Sequence, residues 1–149
     1  YNIYIYTTSD YSYAKKIIEV TGISKFICNL YDRSQCQRLK NGNLIKTLWS
    51  LGFEKEKTIF VDDCEGQISF YPENGIAIKR FCGESMDREL LKLADFLEKI
   101  SQYDDIRSVS SRMEEYKAQS MKEFELECAL MREEDERRNS EFLCDTALQ

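Results

Sequence analysis

Apolar positions follow two rhythms along the first hundred residues. "NIYIYTT" (residues 2–8) is β-branched and aromatic and predicts a buried strand. "YSYAKKIIEVTG" (11–22) has Asp10 in front as a plausible N-cap and predicts a helix. Its apolar side is Tyr13, Ile17, Ile18 and Val20, and Gly22 stops it. "FICNLY" (26–31) reads as a second strand, and residues 42–52 as a short helix bearing Leu44, Ile45, Leu48, Trp49 and Leu51. "KTIFVDD" (57–63) is a third strand and "GIAIKRF" (75–81) a fourth, entered through a Pro-Glu-Asn-Gly turn. Ser85 is the expected cap of "SMDRELLKLADFLEKI", with Leu90, Leu91, Leu93, Ala94, Leu97 and Ile100 inward. Strands alternating with helices predict an α/β fold, a parallel sheet covered on both faces.

The rhythm changes at Asp104. Residues 104–142 contain no Gly and no Pro, and apolar residues fall at 106, 109, 113 and 116, then at 121, 124, 128 and 131. The steps of three and four, broken once by five, predict one long amphipathic helix with a stutter. A solvated helix lying on the domain and a partner-binding or coiled-coil helix both fit this pattern. The domain is therefore placed at 1–103 and a helical tail at 104–149.

Charge sharpens that division. Residues 1–103 carry 14 acidic and 14 basic side chains, whereas 104–149 carry 13 and 7, so the tail holds the whole net charge of −6. An acidic chain without a basic stripe is a poor direct binder of nucleic acid. No apolar run has the length of a membrane span. The first residue, Tyr1, already lies in an apolar segment, from which an N-terminally incomplete sequence is expected. Six cysteines without a C-x-x-C pair read as reduced, packed thiols of an intracellular protein. The chain has no histidine, which excludes Ser-His-Asp and Cys-His catalysis and His-based zinc sites within it.

Candidate chemistry gathers at strand ends, where open parallel sheets bind ligands. Asp62 and Asp63 end one apolar strand, Thr7 and Thr8 another, and Lys46 sits on the helix leading to the Asp-Asp strand. Two adjacent carboxylates at a buried strand end need a cation, and hard oxygen donors suit Mg²⁺. That ion would neutralise phosphoryl oxygens while Lys46 takes another and Thr7 donates a hydrogen bond. The competing reading is an Asp-Asp pair that caps the following turn and helix. Cys82 to Arg88 has the C-x5-R spacing of cysteine-dependent phosphatases, but Glu84 and Asp87 inside the loop would repel a phosphate dianion.

The ordered blocks "YTTS-x3-YA", "YDRSQC", "IKTL", "FVDDCEGQISFYPENGIAI" and "MDRELLKLADFLEKI" resemble the FCP/SCP and NLI-interacting-factor group of phosphatases in the haloacid dehalogenase superfamily, over residues 2–101. The resemblance implies a Rossmann-like parallel sheet, phosphoserine/threonine protein substrates and Mg²⁺. It implies that Thr7 and Lys46 are catalytic phosphate-binding residues, with Thr8 beside them, and that Asp62 and Asp63 correspond to the metal-site pair. Members often read Lys-Asp-Leu where this chain has Lys46-Thr47-Leu48.

One departure bears on activity. The group's nucleophile lies in an Asp-x-Asp-x-Thr signature on the central strand, and this sequence contains no such signature. Without that strand two sheet edges lack backbone partners, so residues 1–149 alone are expected to be poorly stable and inactive. Two functions stay open: part of a protein phosphatase, nuclear or cytoplasmic, or a non-catalytic interaction protein resembling the mitochondrial matrix-import receptor.

Overall fold

The computed structural model describes residues 1–109, 112–116, 118 and 122. Strand β1 (Ile3–Tyr6) leads into helix α1 (Tyr11–Val20) and strand β2 (Ile27–Tyr31), and the two strands pair in parallel. Strands β3 (Gln37–Arg38) and β4 (Leu44–Ile45) form an antiparallel hairpin. Strand β5 (Phe60–Asp62), helix α2 (Glu65–Ile68) and strand β6 (Gly75–Ala77) make a second parallel pair, followed by helix α3 (Glu89–Ile100). The α/β class therefore holds, as small parallel sheets with helices.

They do not join into one sheet: among the described residues three separate two-stranded sheets form, and no ladder joins β1 to β5, the two edges expected to lack a partner without the signature strand. The two parallel pairs meet through side chains instead, with Tyr6 of β1 packing against the cluster of Leu48, Phe60 and Tyr71. Ile3 and Tyr4, expected to be buried, are exposed, because β1 has a strand neighbour on one side only.

Strand β5 is covered on both faces, which explains its unbroken apolar run. Phe60 turns into the Leu48–Tyr71 cluster, while Ile59 and Val61 pack against a second cluster of Ile76, Leu93, Phe96, Ile100, Val109 and Met113. Val109 and Met113 lie in this core and Tyr116 packs against it, while Ile106 is buried ahead of the helical residues; 104–108 are not helical, with Ser108 at φ +68°, so the helix expected from Asp104 does not begin there. Val109, 112–116, 118 and 122 are helical. The rest of the predicted long helix, including its second apolar set at 121–131, lies outside the described residues.

Several local expectations are corrected. Residues 42–52 do not make a helix. Asn41-Gly42 turns the β3–β4 hairpin, with Gly42 at φ +86° and the Leu39 N–H on the Asn43 carbonyl. Only a 3-10 turn at Trp49–Leu51 follows, ended by Gly52 at φ +84°. Lys46 therefore sits in a loop rather than on a helix. α3 starts at Glu89, since Asp87 Oδ1 takes the Glu89 N–H at 3.0 Å and Ser85 caps nothing. Its buried stripe is Leu93, Phe96 and Ile100, leaving Leu90 and Leu91 66% and 56% exposed and Ala94 exposed too. In α1 the inward residues are Ala14 and, in part, Ile18, while Tyr13, Ile17 and Val20 face water. A two-stranded sheet is too narrow to cover a wider stripe. Asp10 precedes α1 without a side-chain cap and pairs with Arg33 at 3.6 Å. Of the four described cysteines, all free, only Cys36 is partly packed.

The turn into β6 sets the position of the β5 end. Asn74 is buried and donates from Nδ2 to the Lys55 and Thr58 carbonyls at 2.6 and 2.7 Å. Its own carbonyl receives the Phe60 N–H at 2.8 Å. At Gly75 a Cβ would meet the Tyr71 carbonyl oxygen and Ile68 Cγ2, both at 2.8 Å, so a side chain there would force backbone to move.

Candidate active site

At the end of β5 the two neighbouring carboxylates part company. Asp62 is buried, with its side chain 4% exposed, and Lys46 Nζ stands 2.6 Å from Oδ2 with its own side chain 14% exposed. The Cys64 N–H donates to Asp62 Oδ1 at 2.9 Å. Asp63 is 39% exposed and pairs with Arg80 Nε at 2.7 Å. Each carboxylate thus has its own protein cation, which is how the pair tolerates the strand end.

Lys46 is held from several directions. Its N–H donates to Gln67 Oε1 at 3.0 Å, and Gln67 Nε2 donates to the Leu44 carbonyl at 2.8 Å. Its carbonyl accepts the Tyr71 hydroxyl, which in turn accepts the Leu48 N–H at 3.0 Å. The ammonium lies 5.7 Å from the Phe60 ring centroid, a cation–π distance. Burial raises the Tyr71 phenol above its usual range, so it remains a donor throughout the neutral region. Backbone groups that a helix would satisfy internally are satisfied here by side chains of α2 and the turn after it.

The threonines lie at the end of β1. The Thr7 N–H donates to the Tyr31 carbonyl at 2.9 Å, and Thr7 Oγ1 accepts the Ser9 N–H at 3.1 Å. The Thr8 carbonyl accepts Arg33 Nε–H at 2.7 Å. Two residues connect this end to Lys46. Tyr6 accepts the Thr47 N–H at 3.1 Å and donates to the Gln35 carbonyl at 2.7 Å. Cys36 Sγ lies 3.7 Å from the Thr7 carbonyl and feels the Lys46 charge; burial is the larger effect and pushes the thiol upward, against thiolate formation.

A cavity of about 580 Å³ opens beside Lys46, Asp62 and Asp63. Its walls come from the β5 and β6 ends and from residues 81–91; among the described residues, neither Thr7 nor Thr8 lines it. The structure thus joins Lys46, Asp62 and Asp63 at one cavity and places the threonines at the neighbouring strand end. Tyr6, Cys36, Gln67, Tyr71 and Arg80 carry supporting roles that no sequence spacing signals, because each acts across a gap between elements.

Two N–H groups of the Cys82–Arg88 loop, those of Cys82 and Asp87, are taken by Glu84. Glu84 Oε2 takes the Cys82 N–H at 2.9 Å, and Lys79 stands 3.4 Å from Glu84 Oε1. The Cys82 N–H is the main reason that the Glu84 carboxyl is held below its usual range. An internal carboxylate thus accepts an N–H that a phosphate dianion in this loop would use.

For a metal ion the donor set is small. Among the described residues no three His, Cys, Asp or Glu side chains converge. Both Asp62 oxygens are engaged, so the carboxylate open to a hard cation is Asp63. Mg²⁺ is commonly held by one or two carboxylates, with water and phosphate oxygens completing its shell, and Asp63 fits that use. The Arg80 hydrogen bond holds the Asp63 carboxyl below the ordinary aspartate range. Any contribution of this pair is therefore present above the unfolded pKa and lost as pH falls through the folded one. Arg80→Ala is expected to move the Asp63 midpoint upward in a carboxyl NMR titration; an unmoved midpoint would remove Arg80 as the cause.

The profile of the family described as NLI interacting factor-like phosphatase matches residues 1–107. A probable C-terminal domain small phosphatase of Dictyostelium discoideum is 32% identical over 109 residues, covering 73% of this chain and 35% of the relative. A CTD small phosphatase-like protein of Homo sapiens is 38% identical over 72 residues, 48% of this chain and 26% of the relative. The mitochondrial import inner membrane translocase subunit tim50 of Neurospora crassa is 28% identical over 116 residues, 76% of this chain and 21% of the relative. The chain spans about a third or less of the length of these curated relatives.

Proposed function

The chain belongs to the NLI interacting factor-like phosphatase family, and we propose that it supplies the phosphate-binding part of a Mg²⁺-dependent phosphoserine/threonine protein phosphatase. The observation that carries this reading is the buried Lys46–Asp62 pair, 2.6 Å apart, at the end of β5 and at the edge of a cavity. An ammonium has three donors. One goes to Asp62, which fixes its direction, and the others serve phosphoryl oxygens. The family resemblance adds the Thr7 hydroxyl, with Thr8 beside it, from the neighbouring strand end outside the cavity walls. Asp63 is the metal ligand, with Asp62 positioning Lys46 next to it. A Mg²⁺ held there would neutralise charge on the phosphoryl group.

The same reading assigns bond breaking elsewhere. No Asp-x-Asp-x-Thr signature stands in this sequence, so residues 1–149 bind a phosphoryl group without transferring it. Among the described residues β1 and β5 each pair on one side only, which supports this, since a nucleophile strand of the kind the family resemblance implies would pair between them. The substrate class is a phosphorylated protein segment, met in the nucleus or cytoplasm. A second reading, a non-catalytic interaction protein, is favoured by the absent signature; the tim50 relative belongs to an import translocase, which would put such a role in mitochondria.

Two measurements on the chain test the proposal. Phosphoserine peptide should bind, more tightly with Mg²⁺ than without, and Asp63→Ala should remove the metal dependence. p-Nitrophenyl phosphate should not be hydrolysed. Turnover by this chain would overturn the assignment of bond breaking to another segment. A phosphopeptide affinity indifferent to Mg²⁺ would remove Asp63 from the site.

A further inference from the structure

Three cationic side chains line the cavity beside Lys46, and two of them are neutralised. Lys46 pairs with Asp62 at 2.6 Å and Lys79 with Glu84 at 3.4 Å. The third, Arg88, is exposed and its side chain has no ion pair or hydrogen bond among the described residues. The carboxylates of the same walls are engaged elsewhere. Glu84 also takes the Cys82 N–H, Asp87 takes the Glu89 N–H, Glu89 stands 3.4 Å from the Lys92 ammonium, and Asp63 pairs with Arg80. Arg88 is thus the cation of this cavity without a protein partner among the described residues, and it is available in addition to the remaining donors of Lys46.

Its neighbours are apolar. Phe81, Leu90 and Leu91 line the cavity and are exposed, although the first turn of α3 had been expected to bury both leucines. A guanidinium beside exposed apolar side chains suits a carboxylate or phosphate on a peptide, because its planar fork meets two oxygens at once while the leucines and Phe81 offer apolar surface to the chain.

We infer that Arg88 is a specificity-determining residue: it binds a second anionic group on a peptide whose phosphorylated residue occupies Lys46, with the chain between them lying against Leu90 and Leu91. The substrate class narrows to phosphopeptides with a carboxylate or a further phosphate near the phosphorylated residue. This rests on the phosphate-binding reading of Lys46.

The test is fluorescence anisotropy on the full chain at low ionic strength. Labelled phosphoserine peptides carry alanine, glutamate or a second phosphoserine at each of the four positions on either side. In at least one register the second anion should tighten binding about tenfold over alanine, the scale of one charge-assisted bidentate contact. Gain with both groups identifies a carboxylate as sufficient, and gain with phosphoserine alone identifies phosphate; either supports the inference. Arg88→Ala should remove the increment and leave the alanine peptide unchanged, while Arg88→Lys should keep part of it. An increment that survives Arg88→Ala, or no increment in any register, overturns the inference. Lys46→Ala is a separate arm: if it leaves the affinity of every phosphopeptide unchanged, the phosphate-binding reading itself fails.

Discussion

Lys46→Ala is expected to lower unfolding free energy by about 3–5 kcal/mol, the range for removing one partner of a buried ion pair. The reason is what remains. Asp62 keeps the Cys64 N–H but loses the ammonium 2.6 Å away, with its side chain only 4% exposed. Lys46 is itself slightly open to water at 14%, which favours the lower end of that range. Urea unfolding of the variant measures the loss. The double variant Lys46→Met, Asp62→Leu should recover most of the stability, because apolar replacement of both partners leaves no orphaned charge. It should not recover phosphopeptide binding. Stability and ligand affinity would then separate, as they must if the pair both neutralises the strand end and presents an ammonium to phosphate. A single-variant loss below about 1 kcal/mol would mean that water screens Asp62, and the account of the buried corner would fail.

Asn74→Ala should cost about 2–4 kcal/mol by a different route. Nδ2 holds the Lys55 and Thr58 carbonyls together at 2.6 and 2.7 Å inside the fold. Alanine leaves both without that donor and opens a small void. Asn74→Asp should be worse, since it turns two donor contacts into oxygen facing oxygen and buries a charge. Because the Asn74 carbonyl also receives the Phe60 N–H, the register of β5 depends on this turn. Phosphopeptide affinity should therefore fall in Asn74→Ala although residue 74 lines no part of the cavity. A loss of less than about 1 kcal/mol in urea unfolding would show that the segment before β5 is ordered by something else.

Much of the architecture was legible in one dimension. The runs that become β2 and β5 carry clustered β-branched and aromatic residues, which by themselves mark a strand. Of the spacing 106, 109, 113, 116, the last three residues reach one core cluster, while Ile106 is buried before the helical residues begin. Other readings failed for stated physical reasons. Leu44, Ile45 and Leu48 fit a helical face, yet Asn41-Gly42 turned the chain into a hairpin and Gln67 and Tyr71 took the backbone groups of Lys46. Leu90 and Leu91 fit the inward stripe of α3, but Glu84 and Asp87 organise the preceding loop and the helix begins late.

For the candidate site the division is similar. Asp62, Asp63 and Thr7 stand out in the sequence as polar residues at the ends of apolar runs, Lys46 as a cation on the helix expected before the Asp-Asp strand, and the order of blocks around them carries the family resemblance. What one dimension could not supply was pairing. That Asp62 would take Lys46, that Asp63 would take Arg80, and that Arg88 would be left over depend on which side chains converge across elements sixteen or more residues apart. Periodicity records how each segment meets solvent or core, so it determines elements and buried faces. The choice of partner for a charge is made by distance and desolvation in three dimensions, and only the tertiary structure decides it.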